Sequence, residues 1–329
     1  MAPIGLGISI SGSVYGGASN AVAVAIEDYM WTGYSNGGVA GEIWPTPTTY
    51  DFNDTWDLDY AQYSINFNGT NGYIDIGDTY QSTIRGSFTI SAWAKLDDLS
   101  AGHTLVGAEV GAIDQFQIFH YSVGNKIRVY FEGDSEDFVM VETDAAVFDT
   151  VDVWKHITVT VTKNSGGNTG IVIYVNGSAV DSTPTAALTE ANHNAYTSTR
   201  SLYIGACNDD GTADNFWDGN IHEFAIWSEA LTAANVFKTY NTGIAFDYTE
   251  DDGDYDNSDT LVGYWRFNEG SGTVAIDLGG SNISSLQGGA TYSNVFLRDY
   301  MPQAVGDISD EGYWDLDANL DVQPEMHAL

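Results

Sequence analysis

The densest group of ligand-type atoms in this chain is the run Asn208-Asp209-Asp210-Gly211-Thr212-Ala213-Asp214-Asn215. Carboxylates, amides and a hydroxyl gathered around one glycine are what a hard cation requires, because Ca²⁺ collects several oxygens from a single loop. Cation binding, with Ca²⁺ first, is the chemistry this run predicts; a solvated polar loop is the alternative. A second run, Glu250-Asp251-Asp252-Gly253-Asp254-Tyr255-Asp256-Asn257-Ser258-Asp259, is more acidic still. It lacks the Gly at loop position 6 and the Glu at position 12 of an EF-hand, and reads as a solvated linker.

Catalytic constellations are poorly represented. Retaining glycosidases place two carboxylates about 5–5.5 Å apart, and the nearest approach is Glu132-Gly133-Asp134-Ser135-Glu136-Asp137. That run lacks a final Glu at the needed spacing, and Gly133 makes it read as a hairpin turn. The six histidines, at 103, 120, 156, 193, 222 and 327, show no zinc or metalloprotease spacing. There is no Gly-x-Ser-x-Gly elbow and no phosphate-cradling loop. Sugar recognition uses aromatic faces with polar side chains beside them, for which Phe216, Trp217, Tyr196 and Tyr121 are candidates.

Asp and Glu number 46 against 10 Lys and Arg, a formal charge of −36. Such a field repels phosphates and opposes binding to nucleic acid or anionic lipid, so neither is expected as a partner; it favours solubility in a salty medium and leaves room for divalent cations. Hydrophobic residues make up 43% and aromatics 13%, which argues against global disorder. Cys207 is the only cysteine and rules out an intrachain disulfide. The start, MAPIGLGISISGSVYGG, has no basic residue and no long apolar core, so it does not read as a secretory signal. The sequence predicts an unprocessed soluble chain, and no run reaches the roughly 18 apolar residues of a membrane helix.

These candidates must be positioned by strands. Tyr63, Ile65 and Phe67 alternate, as do Phe88, Ile90, Ala92 and Ala94, and further strands are expected at 104–108, 115–121, 126–132 and 138–143. Turn signals every 8–12 residues mark a sandwich or barrel. Val151–Ser182 holds two more strands and ends in Tyr174-Val175-Asn176-Gly177, whose Asn-Gly pair suits a type I′ turn. Only Ser228–Tyr240 reads as a helix, with Ser228 able to cap it or Thr232 to start a second turn.

Trp154-Lys155-His156 leading through Val-Thr to Tyr174-Val175-Asn176-Gly177 resembles the laminin-G-like (concanavalin A-like) jelly-roll family. Four further segments follow in the family's order: Phe67–Ile76, Ser87–Trp93, Leu202–Gly205 and Asp218–Trp227 with its short Ala-Leu helix. The resemblance spans Tyr63 to Tyr240. It implies an all-β antiparallel jelly-roll β-sandwich with N- and C-terminal extensions and one short helix, with His156 as scaffold. It also implies Asp209, Asp210 and Asp214 as Ca²⁺ ligands at the rim, with Asn71 adjacent. One departure stands out: Leu261–Thr273 is similar to the strand that usually opens the sandwich, yet it follows the closing one, and a permuted completing strand is expected.

The organisation expected is therefore an N-terminal arm at 1–60, a laminin-G-like sandwich at 61–245, an acidic linker with a permuted completing strand at 246–300 and an acidic tail at 301–329. Asp51–Asp59 and Asp307–Asp317 both end in Trp-Asp-Leu-Asp, which makes Trp56 and Trp314 candidates for matching assembly contacts; chance likeness in an acidic chain is the alternative. The Gly-rich arm and Leu261–Phe267 resemble virion structural proteins of marine tailed bacteriophages. That resemblance implies a non-enzymatic head-decoration, fibre or tail component located in the virion. Its implied partners are copies of itself, other virion proteins and host surface glycans. An exported adhesin or polysaccharide-binding protein at the cell surface is the alternative, and a glycoside hydrolase the next.

Overall fold

Alternation along each strand decides which side chains enter the core. In Lys126–Glu132 the apolar Ile127, Val129 and Phe131 are buried, while Lys126, Arg128 and Tyr130 point the other way and stay half-buried. The structure is a computed structural model. It describes residues 63–294 apart from 112, 134–137, 164–169, 186–192, 195, 242–246 and 281. Trp56, Trp314 and the two extensions lie outside the described residues.

The chain order is β1 (Tyr63–Asn68), β2 (Tyr73–Asp75), α1 (Gln81–Ile84), β3 (Phe88–Leu96), β4 (His103–Val110), β5 (Ile113–Tyr121), β6 (Lys126–Glu132), β7 (Phe138–Thr143), β8 (Lys155–Val161), β9 (Ile171–Val175), β10 (Ser178–Ala179) and β11 (Ser182–Pro184). There follow β12 (Tyr203–Ile204), β13 (Cys207–Asp209), β14 (Thr212–Asp214), β15 (Asp218–Trp227), α2 (Ala233–Tyr240), β16 (Leu261–Trp265), β17 (Val274–Ile276), β18 (Ile283–Gln287) and β19 (Thr291–Asn294). An eight-stranded sheet runs β10-β9-β8-β3-β15-β1-β19, with β16 also on β15. The eleven-stranded second sheet runs β11-β7-β6-β5-β4-β12-β2-β18-β17, with β13 on β4 and β14 on β13. The pairings are antiparallel except β13 with β4.

One core lies between the sheets, where Phe67, Ile90, Phe116, Val129, Val159, Ile226 and Trp265 join a single apolar cluster. The second cluster sits on the outside of the first sheet, with Tyr174, Trp227, Leu231, Val236, Tyr248, Tyr255 and Tyr264. It exists because α2 and the segment after it pack there. Thr232 caps α2 through the Asn235 backbone N–H, Asn235 answers with its side chain, and Asn241 ends the helix in a left-handed conformation. The cap is therefore Thr232 and not Ser228, and the helix begins one turn later than its pattern suggested. The one-turn α1 was not foreseen.

Two expectations about the C-terminal third change. The acidic run at 250–259 is not simply a solvated linker: Tyr248 and Tyr255 are fully buried, Trp227 Nε1 donates to the Tyr255 hydroxyl at 3.0 Å, and that hydroxyl donates to the Tyr248 carbonyl at 2.7 Å. The aromatic residues face the sheet and the carboxylates face water. Beyond it, the chain contributes four short strands to the sandwich. β16 pairs with β15, β18 with β2, β17 with β18 and β19 with β1.

Candidate functional site

α2 and Tyr248–Tyr255 cover part of the outer face of the first sheet, and the outer face of the second sheet carries accessible polar and aromatic side chains. Register lines up Ser285, Asp75, Tyr203, Gly107, Gln117, Tyr130 and Met140 as direct partners across seven strands. These residues alternate with core-facing Ile74, Val106, Ile118 and Val129, so the row lies on one face. The next row holds Phe119, Arg128 and Glu142.

Aromatic pairs flank this row. Phe138 is 43% exposed and stacks on Tyr130 with centroids 5.2 Å apart and planes 13° apart. At the other end Tyr73 stacks on Tyr203 at 4.5 Å. Arg128 lies over the Tyr121 ring at 3.2 Å. Tyr130 donates to Glu132 Oε2 at 3.0 Å, which explains why Glu132 is buried at the end of β6 and not in an open turn. Gln117 spans Gly107, where a Cβ would stand 2.8 Å from its Cγ, and its amide donates to Glu109 Oε2 and to Cys207 Sγ, each at 2.9 Å. Tyr73, Tyr130 and Phe138 keep part of each ring open as stacking faces for sugar C–H groups, and half-buried Asp75 and Glu109 can meet hydroxyls, while Tyr203 and Gln117 are buried supports beneath them.

Glu109 is the most perturbed acid on this face. Burial, followed by the charges of Asp209 and Asp214, pushes it up to about 7 against the hydrogen bonds from Gln117 and Gln115. Asp209 is its register partner. Burial, followed by Asp209, also raises Asp214. The Cys207 thiol is raised by burial and by the same carboxylates, so it stays a thiol. In the native state Glu109 keeps a proton that the unfolded chain releases above about 4.5. Its ionisation therefore lowers stability as pH rises from there through about 7. Glu109→Gln is expected to leave melting at pH 4 unchanged. At pH 8 it raises Tm by about 2–4 °C, corresponding to about 1 kcal/mol after discounting for solvent screening. Calorimetry at both pH values checks this, and an equal shift at both would refute it.

The residues expected to bind Ca²⁺ do not form one site. Asp210-Gly211 has φ of 48° and 93°, the pattern of a tight type I′ turn. Residues 207–214 are consequently the hairpin β13–β14, in place of an open ligand loop. Asp210 is held by Arg200, and the Asn71 amide oxygen accepts from Asn68 Nδ2 at 2.8 Å. Asp209 and Asp214 stand beside Glu109. Among the described residues no group of three or more His, Cys, Asp or Glu side chains is arranged to hold a metal ion. The Asp-Gly dipeptide was the sequence signal for the hairpin.

Two aromatic candidates for sugar contact are core residues. Trp217 is fully buried, with Nε1 donating to the Lys95 carbonyl at 3.0 Å. Tyr196 is fully buried, with its hydroxyl donating to Gln81 Oε1 at 2.7 Å. Neither offers a face to a ligand. Phe216 is half-buried, and its carbonyl meets His103 Nδ1 at 2.8 Å. Tyr121 does lie on the second sheet's outer face. His156 is fully buried, its pKa pushed down to about 3 by desolvation, and its Nε2 meets the Ser91 hydroxyl at 2.9 Å. Sequence reasoning missed Tyr130, Phe138, Tyr73, Tyr203 and Gln117, although their alternation with core residues was visible.

The family is shown by the match of residues 68–237 to the sequence profile of the concanavalin A-like lectin/glucanases superfamily, in its Laminin_G_3 form. The chain belongs to that superfamily. Among solved structures, a candidate carbohydrate-binding protein from Bacteroides ovatus is 19% identical with a TM-score of 0.50, the match covering 72% of this chain and 60% of that one. The chain therefore spans less than two thirds of that protein's length. The CBM40 module of the Ruminococcus gnavus IT-sialidase, bound to α2,3-sialyllactose, is 14% identical with a TM-score of 0.44, covering 55% of this chain and 98% of that one. A heptameric SAP-like pentraxin from Limulus polyphemus is 14% identical with a TM-score of 0.41, covering 56% of this chain and 83% of that one. A search of curated proteins found no match.

Proposed function

We propose that this chain is a non-enzymatic glycan-binding module whose ligand lies across the outer face of the second sheet. The observation that carries the reading is the cross-strand row from Asp75 to Met140 with the stacked pairs Tyr130–Phe138 and Tyr73–Tyr203 at its ends. A sheet face suits an extended polysaccharide, and the Bacteroides ovatus neighbour, a candidate carbohydrate-binding protein, has the same fold. In its finer form the reading is a homo-oligomeric structural protein of a bacteriophage virion, in head decoration, fibre or tail, touching host glycans. Support for that form is the resemblance of the Gly-rich start and of Leu261–Phe267. The exported adhesin is its competitor, and mass spectrometry of purified particles separates the two.

Retention on immobilised polysaccharides tests the binding face. Wild type is expected to be retarded by at least one polymer, and Tyr130→Ala and Phe138→Ala to weaken that binding about tenfold or more, equivalent to about 1.4 kcal/mol. Variants that bind as wild type does would overturn the assignment of the face.

A hydrolase is the second reading, because Glu109, pushed up to about 7 by burial and by its carboxylate neighbours, stands beside Asp209 and Asp214. New reducing ends released by wild type and lost in Glu109→Gln would favour it.

A further inference from the structure

Resting on the glycan-binding reading, the charge of the ligand can also be inferred. Register puts two cations, Lys126 and Arg128, on the outer face of the second sheet. Glu142 of β7, the direct cross-strand partner of Arg128, binds both. Lys126 Nζ reaches its Oε1 at 2.8 Å, and Arg128 Nε donates to its Oε2. The three side chains are only 19–25% exposed, and the guanidinium is further covered by the Tyr121 ring at 3.2 Å. Arg200 pairs with Asp210 of the β13–β14 hairpin in a more exposed contact, the two side chains 41% and 58% accessible. Elsewhere on the second sheet Asp75 and Glu132 add carboxylates, as do Asp209 and Asp214 beside Glu109.

We propose that this face selects uncharged glycans, and that Glu142 is a specificity-determining residue because it occupies both cations that could receive a sugar acid. A uronate, sialate or sulfate is recognised through a guanidinium fork or an ammonium left free to point at it. Here Glu142 already engages Arg128 Nε and Lys126 Nζ from within the sheet, and the approaching anion meets a field of like charge. Neutral sugars avoid both costs, since rings and amides provide contacts without requiring a counter-charge.

The test compares wild type, Glu142→Gln and the triple variant Lys126→Gln/Arg128→Gln/Glu142→Gln on two sets of polymers at low ionic strength. The neutral set is β-glucan, mannan and xylan; the anionic set is polygalacturonate and alginate, with lactose and sialyllactose as a matched soluble pair. Wild type is expected to hold neutral members and not anionic ones. Glu142→Gln gains anionic binding on the order of tenfold, the gain fades as salt is raised, and the triple variant loses it. Wild type holding anionic glycans as tightly as neutral ones would overturn the selectivity while leaving glycan binding intact. A folded Glu142→Gln with no gain would overturn the role of Glu142. If neither wild type nor Glu142→Gln retains any glycan, the binding reading falls and this inference with it.

Discussion

Arg266→Ala is expected to lower stability by about 3–5 kcal/mol at pH 8, because it leaves a buried carboxylate without its counter-charge. Glu223 is fully buried and sits at φ +49°. Two residues of β15, Glu223 and Phe224, there oppose the single Ala92 of β3, a bulge that re-aims the side chain. Its carboxylate accepts from Arg266 Nε at 3.1 Å and from the Tyr264 hydroxyl. Arg266 also reaches Asp247 at 3.4 Å. Burial lifts Glu223 to about 7 even against the pull of Arg266 and Tyr264. Removing the cation raises it further, so the variant's native state holds a proton the unfolded chain releases above about 4.5. The loss is accordingly smaller at pH 5 than at pH 8. Urea unfolding at both pH values reads this directly, and a small loss that ignores pH would contradict it. Arg266→Met with Glu223→Leu should recover much of the stability, since an apolar pair removes the stranded charge.

Trp217→Ala is expected to cost about 3–5 kcal/mol by leaving a large cavity and to leave the glycan affinity of the folded fraction unchanged. The indole is fully enclosed, edge-on to Phe148 at 5.9 Å and to His103 at 6.4 Å. Phe138→Ala should show the reverse pattern, little loss of stability and weaker binding, because Phe138 is 43% exposed. Thermal unfolding together with affinity measurement on the two variants separates a core tryptophan from a contact ring. A Trp217→Ala protein that melts normally but binds poorly would contradict the placement.

Much of the sandwich could be read along the chain. Phe88–Leu96, Lys126–Glu132 and Phe138–Thr143 are strands at the places their alternation indicates, and Asn176-Gly177 takes φ of 49° and 74° between β9 and β10 as a type I′ turn requires. Such features depend on neighbours within a few residues. The short strands near the C-terminus were harder to see: Val274-Ala275-Ile276 has only three residues, too few to display a period.

The candidate site was legible in its residue types and illegible in its location. Trp217 and Tyr130 carry the same chemical promise in the sequence, and only the packing sends one into the core and the other to an open face. Asp209, Asp210 and Asp214 look like a ligand set until Arg200 claims Asp210 and the hairpin lays Asp209 beside Glu109, a residue 100 positions earlier. The sequence by itself determined the fold class, the strand faces and the acidic character, because alternation, turn dipeptides and composition are local or additive. Only the tertiary structure decided which sheet face is covered, where the acidic run packs and which cations are already spent. Those outcomes depend on contacts between residues far apart in the chain, and no local period records them.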